Sequence, residues 1–413
     1  MVLQNNYPHD IRVAKEARAL RKAGHDVHLL AVKRIDVNEP TEEDVEGLSV
    51  RRILPAFAEL SSHACRWNFL KFYVTFQDHY WSIHIERYAS DFKLDALHVH
   101  DLPLVGTAIP LGRRLGIPVI ADFHENYPAA LQVWQRVRRG PKDWFTANQN
   151  RWSAYERQVV RDSAHVIVVV DEAKWRLMEQ HNVPVEKISV IMNVEDPDSF
   201  LAIESDPEIL ARHRDSFLVC YIGGGAEHRG LDTTIQSLPY LWDDVPKLKL
   251  LIVGPRDVER ERLQALAEAE GVNDLVKIIG WQPFSKVPSY IQASKICLVP
   301  HHQNPHTDST IPHKLFQYML MGKPVVVSSC HPLKRIVKET KSGLIFQASD
   351  PLDLAERIRT LYADMELREN CGRRGYDAAL KRYNWAIESK KLCSLYSSVI
   401  SKKAVSENKA QDW

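Results

Sequence analysis

The sequence predicts an α/β protein built from two doubly wound, parallel-sheet units. Three observations point there. Short β-branched apolar runs recur along the chain, separated by stretches long enough for a helix. The runs are continuous rather than alternating, as strands covered by helices on both faces should be. The series pauses once, between Glu195 and Ser216, and then restarts. With 413 residues the chain has room for two to three domains of about 150 residues, so a single core is not expected.

Taken in order, the first strand is short, because only Met1 to Leu3 precede the polar Gln4-Asn5-Asn6, which leaves open a start further upstream. Asp10 to Gly24 reads as a helix with Val13, Ala17 and Leu20 on one face and a terminal glycine. Strands follow at Val27–Val32, Ala96–Val99, Pro118–Ile120, Val166–Val170 and Ile188–Met192. Residues Glu195 to Ser216, rich in Asp, Glu and Pro, read as an interdomain linker. The second series comprises Phe217–Ile222, Leu248–Val253, Leu275–Ile279, Ile296–Val299, Pro324–Val327 and Leu344–Phe346. Helical sequence from Leu352 to Ile400 precedes a polar tail, Ser401–Trp413, expected to fray. In open parallel sheets ligands bind at the carboxyl ends of strands, and two such units facing each other would form a cleft.

Composition excludes several classes. Hydrophobic residues at 45% and charged residues at 26% set aside disordered, collagen-like and disulfide-scaffold chains. Lys plus Arg at 54 against Asp plus Glu at 53 leaves a net +1, so no global field would recruit nucleic acid and any basic site must be local. Six scattered cysteines without a short pair spacing fit a reducing cytoplasm rather than a zinc knuckle. The N-terminus shows no basic and apolar signal segment, and apolar runs such as Val166–Val170 fall far short of the ~20 residues that span a bilayer. Membrane contact would be peripheral.

Three loops after strands carry candidate chemistry. In Tyr221-Ile222-Gly223-Gly224-Gly225-Ala226-Glu227-His228-Arg229-Gly230 the glycines permit close backbone approach and Arg229 adds a cation, which makes either a diphosphate cradle or a plain tight turn. It matches neither a dinucleotide fingerprint, which needs glycine at His228, nor a P-loop, which needs Lys and Ser or Thr at Leu231 and Asp232. In Asp308-Ser309-Thr310-Ile311-Pro312-His313-Lys314-Leu315-Phe316-Gln317, Pro312 suits a first helical turn and Ser309 or Thr310 a cap; Lys314 in that turn is either a surface cation or the partner of a bound anion. The third loop joins His100-Asp101 to Asp122-Phe123-His124-Glu125 at successive strand ends, offering proton-transfer groups on one rim, although each imidazole could equally be a satisfied polar group. No His-x-x-x-His or Cys spacing accompanies them, so no metal site is expected.

With these motifs assembled, the chain resembles the two-Rossmann-domain, GT-B type of nucleotide-sugar-dependent glycosyltransferase, and within it the retaining transferases of glycosyltransferase family 4 that build bacterial surface polysaccharides. The resemblance runs from Tyr7-Pro8-His9-Asp10 to Tyr383-Asn384-Trp385 and includes Arg229-Gly230, Val253-Gly254-Pro255, Ile279-Gly280-Trp281 and Pro312 through Met319. It implies an acceptor-binding domain over 1–200, a nucleotide-sugar domain over 201–376, a C-terminal helix over 377–400 returning to the first domain, and a tail over 401–413. It further implies that Arg229 and Lys314 hold the diphosphate, with Gly223, Gly224, Gly225, Asp308, Ser309, Thr310 and Ile311 lining the donor site. The Gly280-Trp281 turn would contact the base, and Gln317 stands at the second carboxylate position of the family's paired-glutamate motif. Ser309 replaces the first of those glutamates and Gly224 a phosphate-binding arginine, so the family's usual contacts are reduced here unless Asp308 supplies one.

The mechanism the resemblance implies is metal-independent, cofactor-free, same-face attack by an acceptor hydroxyl, with His124 near the transferred sugar and Asp101 or Glu125 on the acceptor side. The acceptor would be a glycan or a lipid-linked species. Two aromatic and basic stretches, Trp67–Tyr88 and Trp134–Phe145, suit contact with an anionic membrane face, the first being equally explicable by helix packing. A donor-binding protein without transfer activity, and an epimerase or hydrolase of the same architecture, are the competing readings.

Overall fold

The computed structural model describes residues 1–8, 10–134 and 145–411, with side chains described as far as Ser401. It divides into two units, Met1–Ile191 with Glu388–Trp413, and Met192–Ile387. The chain thus leaves the first unit after Ile191 rather than near 200 and rejoins it at Glu388, and the segment 377–400, expected as one helix, is the end of Met365–Lys381 and part of Trp385–Gln411. Both units are α/β with parallel sheets, as the continuous apolar runs imply.

The first unit holds eight strands: β1 (Val2–Asn6), β2 (His28–Val32), β3 (Glu42–Val45), β4 (Leu48–Ile53), β5 (Leu97–His100), β6 (Val119–Phe123), β7 (His165–Val168) and β8 (Ile188–Val190). They lie in the order β3-β4-β2-β1-β5-β6-β7-β8, parallel except for β3 against β4. Strand β1 runs on through Gln4-Asn5-Asn6, contrary to the short strand expected, because ladder bonds need only backbone: Asn6 pairs with Val32 although its side chain is not buried. The β3–β4 hairpin has no counterpart in the sequence reading. It turns at Glu46 and Gly47, both at positive φ, and Arg51 to Glu42 (2.7 Å) and Arg52 to Glu43 (2.8 Å) tie its charged strands together.

The helix Ile11–Lys22 forms where its apolar spacing predicted, with Asp10 accepting from the Arg12 and Val13 amides as N-cap. It packs one face inward through Val13, Ala17 and Leu20.

The second unit is a six-stranded parallel sheet in the order β11-β10-β9-β12-β13-β14: β9 (Phe217–Ile222), β10 (Leu248–Val253), β11 (Val276–Ile279), β12 (Ile296–Val299), β13 (Val325–Ser328) and β14 (Gly343–Phe346). Its core joins Val219, Tyr221, Leu250, Ile252, Leu298 and Val326 to Leu231, Ile235, Leu263 and Ile358 from the covering helices. The stretch read as a linker belongs to this unit. Asp196-Pro197 and Asp206-Pro207 start the short helices Pro197–Leu201 and Pro207–Arg212, and Phe200 and Ile209 are buried. Three helices, Pro351–Ala363, Met365–Lys381 and Trp385–Gln411, complete the chain, so the backbone beyond Ser401 is helical as far as Gln411.

Candidate active site

In the first unit the site follows from strand periodicity. Alternation puts His98 and His100 on one face of β5, and the register pairs His100 with Asp122 on β6, with His124 two residues on. Helix Ile11–Lys22 lays Arg12 and Glu16, one turn apart, against that face. The Arg12 guanidinium donates to both Asp122 oxygens (3.3 and 3.0 Å) and to the Ile191 carbonyl (3.0 Å), and it meets Glu16 at 2.9 Å. Asp122 Oδ2 is also 3.4 Å from His98 Nε2, 3.3 Å from His100 Nδ1 and 3.2 Å from His124 Nε2. His98 Nδ1 lies 2.6 Å from the Tyr396 hydroxyl on the returning helix. Glu16, His98, His100 and Asp122 offer ligand atoms within 4.8 Å of one another, but the cation bonded to both carboxylates is Arg12.

Buried charge is tolerable only when paired. Burial opposes ionisation of Asp122, yet Arg12 and His124, with hydrogen bonds from His100 and His124, hold its carboxyl well below the usual range. Burial outweighs Arg12 at Glu16 and raises it to about 8. His98 is lowered by burial, and His100 well below the ordinary imidazole value by burial and by His98. His124 goes the other way. Burial would lower it, but Asp101 at 3.5 Å from Nδ1 and Asp122 at Nε2 raise it to about 10, so it is an imidazolium at neutral pH. Asp101 reaches that position from a backbone at φ 63, ψ 155, rare for a side-chain-bearing residue, with its amide bonded to the Asp122 carbonyl at 2.8 Å. Glu125 follows His124 and is half-buried.

In the second unit the loops after β9 and β12 converge with the start of helix Lys314–Leu320. The Lys314 ammonium sits 3.6 Å above the Tyr221 ring. A Cβ on Gly223 would lie 2.5 Å from Lys314 Nζ, and Gly223 has φ 134, so only glycine leaves the ammonium its place. Gly230, at φ 68, packs against the Pro300 carbonyl, 1.8 Å from where a Cβ would be. This docking sets Arg229 beside His301, with the guanidinium donating to His301 Nε2 at 3.3 Å. Neither Arg229 nor Lys314 has a carboxylate partner among the described residues. Burial, then Arg229, push the Lys314 ammonium well below the usual lysine range. Two further imidazoles, His228 and His306, line the place beside His301.

The remaining expected residues fall as follows. The Gly223 amide bonds the Val253 carbonyl (2.7 Å) and the Gly225 amide bonds Glu259 (2.8 Å), leaving Gly224 as the glycine of the loop whose amide has no protein partner among the described residues. Asp308 accepts from the His331 amide (2.8 Å) and from Gln303, and the Ser309 hydroxyl donates to the Pro305 carbonyl (2.9 Å). Ser309 therefore does not cap the following helix, which starts at Lys314, after Pro312, with no side-chain cap. Thr310 is half-buried and Ile311 buried. Gln317 donates to Glu195 (2.9 Å), a buried carboxylate also 3.2 Å from His313 and unforeseen in the sequence because it lay in the supposed linker. Gly280 is half-buried, and the Trp281 ring is 77% exposed. The basic stretch 135–144 lies outside the described residues.

Two Rossmann-like parallel sheets, one in each unit, are the architecture of a glycosyltransferase of the GT-B type. Residues 202–378 match the family described as glycosyl transferases group 1, and residues 10–193 match the glycosyl transferase 4-like domain. The chain is thus a group 1 glycosyltransferase with a 4-like first domain. It is 21% identical to alpha-D-kanosaminyltransferase of Streptomyces kanamyceticus over 70% of this chain and 72% of that one. It is 24% identical to phosphatidyl-myo-inositol mannosyltransferase of Mycobacterium leprae over 76% of each. Among solved structures it is similar in fold to sucrose-phosphate synthase from Thermosynechococcus elongatus (TM-score 0.78, 17% identity, 97% and 95% covered). It is likewise similar to Anabaena HepE in complex with UDP-glucose (TM-score 0.71, 12% identity, 96% and 98% covered).

Proposed function

We propose that the protein transfers a sugar from a nucleoside diphosphate sugar to a glycan or lipid-linked acceptor in polysaccharide synthesis, with retention of configuration and without a metal or cofactor. The observation that carries this is the convergence of Arg229 and Lys314, two cations without a carboxylate between them, at a glycine whose missing Cβ makes room for one of them. Breaking the anomeric carbon–oxygen bond places negative charge on the departing diphosphate, and fixed cations in a low-dielectric site stabilise that charge as it develops. His124, held as an imidazolium, is the group we assign to the transferring sugar as a charged hydrogen-bond donor. In that state it cannot serve as a base, which leaves Asp101 or Glu125 for the acceptor hydroxyl. Retention and same-face attack are supported by the family likeness.

A nucleotide-sugar donor is supported by the solved fold relatives that carry UDP or UDP-glucose. The lipid-linked acceptor is supported by the relative named for phosphatidyl-myo-inositol. On helix Ser62–Thr75, Trp67, Leu70 and Val74 are spaced along one face and are 69%, 50% and 58% exposed, which favours peripheral contact with a membrane. No described helix is long and apolar enough to cross one. A second reading, donor binding without transfer, is favoured by Gln317, an amide already bonded to Glu195. Incubation with a panel of nucleotide sugars, with and without lipid-linked acceptors, separates them. Acceptor-dependent release of nucleoside diphosphate is expected; binding without release supports the second reading, and release without an acceptor a hydrolase.

A further inference from the structure

The diphosphate site of the second unit contains an imidazole that its two cations do not explain. His228 precedes Arg229 in the single turn Glu227–Arg229, and its backbone is anchored by the His302 amide donating to its carbonyl at 3.0 Å. The residue is 8% exposed, and its Nε2 is buried with no hydrogen-bond partner among the described residues. A buried ring nitrogen left without a partner is uncommon, because its desolvation is uncompensated. The neighbouring imidazole of His301 is different: its Nε2 already accepts from Arg229 and so must carry the lone pair.

The groups facing His228 are almost all positive or neutral. They are Arg229 on its own turn, His301, His302 and His306 from the loop after β12, and Lys314 from the following helix. The His306 ring centre lies 5.6 Å away and that of His301 6.4 Å away. The nearby carboxylate, Asp232, is engaged with His302 at 2.9 Å. In this surrounding the ring is neutral: burial, then Arg229, His306, Lys314 and His302, lower it to about 3. An anion carrying two charges, bound among these groups, adds an opposing interaction that favours the protonated ring.

We propose that His228 is the third cation of the diphosphate site, taking a proton from solvent onto Nε2 when the nucleotide sugar binds. The inference rests on the diphosphate reading of Arg229 and Lys314 and deepens it. Binding then carries one proton with the ligand, and affinity rises as pH falls.

The test is calorimetric titration of the full chain with UDP-glucose, GDP-mannose and ADP-glucose, whose diphosphate diesters have no ionisation of their own near neutral pH. Titration at pH 6.0 and 7.5 in buffers of different ionisation enthalpy gives the protons taken up from the dependence of the observed heat on the buffer. Uptake of about 0.9 proton at pH 6.0, with affinity roughly tenfold tighter than at pH 7.5, is expected for the bound nucleotide sugar. His228→Gln should bind more weakly at pH 6.0 and lose both the uptake and the pH dependence. Lys314→Arg, which keeps a cation that cannot titrate, should retain the uptake; its loss there would assign the proton to Lys314 and overturn the proposal. Binding without proton uptake in the unaltered protein overturns it while leaving the diphosphate reading intact. Failure of every nucleotide sugar to bind overturns both.

Discussion

Replacing Asp101 by asparagine removes one of the two carboxylates that keep His124 charged and changes little else. Asparagine has nearly the size and shape of aspartate, so it adds no steric strain to the backbone already held at φ 63. The carboxylate lies 3.5 Å from His124 Nδ1. At an effective dielectric near 20 that separation gives about 4–5 kcal/mol, and the partial exposure of Asp101 reduces it to roughly 1.5–3 kcal/mol, or about 1–2 pKa units. His124, raised to about 10 in the intact protein, should therefore titrate near 8–9 in the variant. The sign of the linkage follows. A histidine whose folded pKa lies above its unfolded value near 6.5 stabilises fully below pH ~6.5 and loses that contribution as pH rises through the folded value. The first unit of the intact protein should thus weaken between about pH 6.5 and 10, and that of Asp101→Asn should complete the loss near pH 8–9. The measurement is the ring Cε1–H resonance of labelled His124 followed from pH 6 to 10.5, alongside melting temperatures over the same range. A His124 titrating near 6.5 in the intact protein, or at the same pH in both proteins, refutes the reasoning. Asp122→Asn is the poorer probe, because it strands the buried Arg12 and should cost about 3–5 kcal/mol of stability.

Three further outcomes are expected. Arg229→Ala and Lys314→Ala should each weaken nucleoside diphosphate binding by about 1.5–3 kcal/mol, the range for charge-assisted hydrogen bonds; unchanged affinity by calorimetry in both would remove the site assignment. His124→Ala should lower turnover more than donor affinity, read as a fall in kcat with the dissociation constant of the nucleotide sugar little changed; equal losses would make it a binding residue only. Chelation with EDTA should leave nucleotide-sugar affinity unaltered, since Arg229 and Lys314 supply the positive charge, and a loss restored by added divalent cation would contradict metal independence.

Much of the fold was legible because buried parallel strands announce themselves as continuous apolar runs. Phe217–Ile222, Leu248–Val253 and Ile296–Val299 begin and end where the sequence places them. Where side chains and backbone disagree, the reading fails. β1 pairs with β2 at Val2 and again, after a register shift, at the polar Asn6, because strand pairing does not ask what the side chain is. The β3–β4 hairpin hid behind charges that serve as cross-strand pairs. The supposed linker misled for another reason: its aspartates and prolines are helix-start signals. Asp206 accepts from the Glu208 and Ile209 amides, with Pro207 in the first turn, as N-cap chemistry predicts. Composition pointed to a loop, whereas position within the pattern pointed to two short helices.

The sites were legible only in part, because their electrostatics depend on partners distant in sequence. Arg12 reaches Asp122 across 110 residues and His98 reaches Tyr396 across 298, separations that only a parallel register and a returning helix can close. Residue type alone could not have assigned the histidines. His124 and His228 both follow strands in glycosyltransferase loops, yet carboxylates raise the first to about 10 while burial and cations lower the second to about 3. The same ring is therefore a fixed cation in one unit and an empty proton acceptor in the other. From this it follows that acidification from pH 7.5 to 6 should leave His124 unchanged and act on donor affinity through His228. A turnover that falls over that interval at saturating donor would place the titrating group elsewhere, on the acceptor-side carboxylates Asp101 or Glu125, of which burial already raises Asp101.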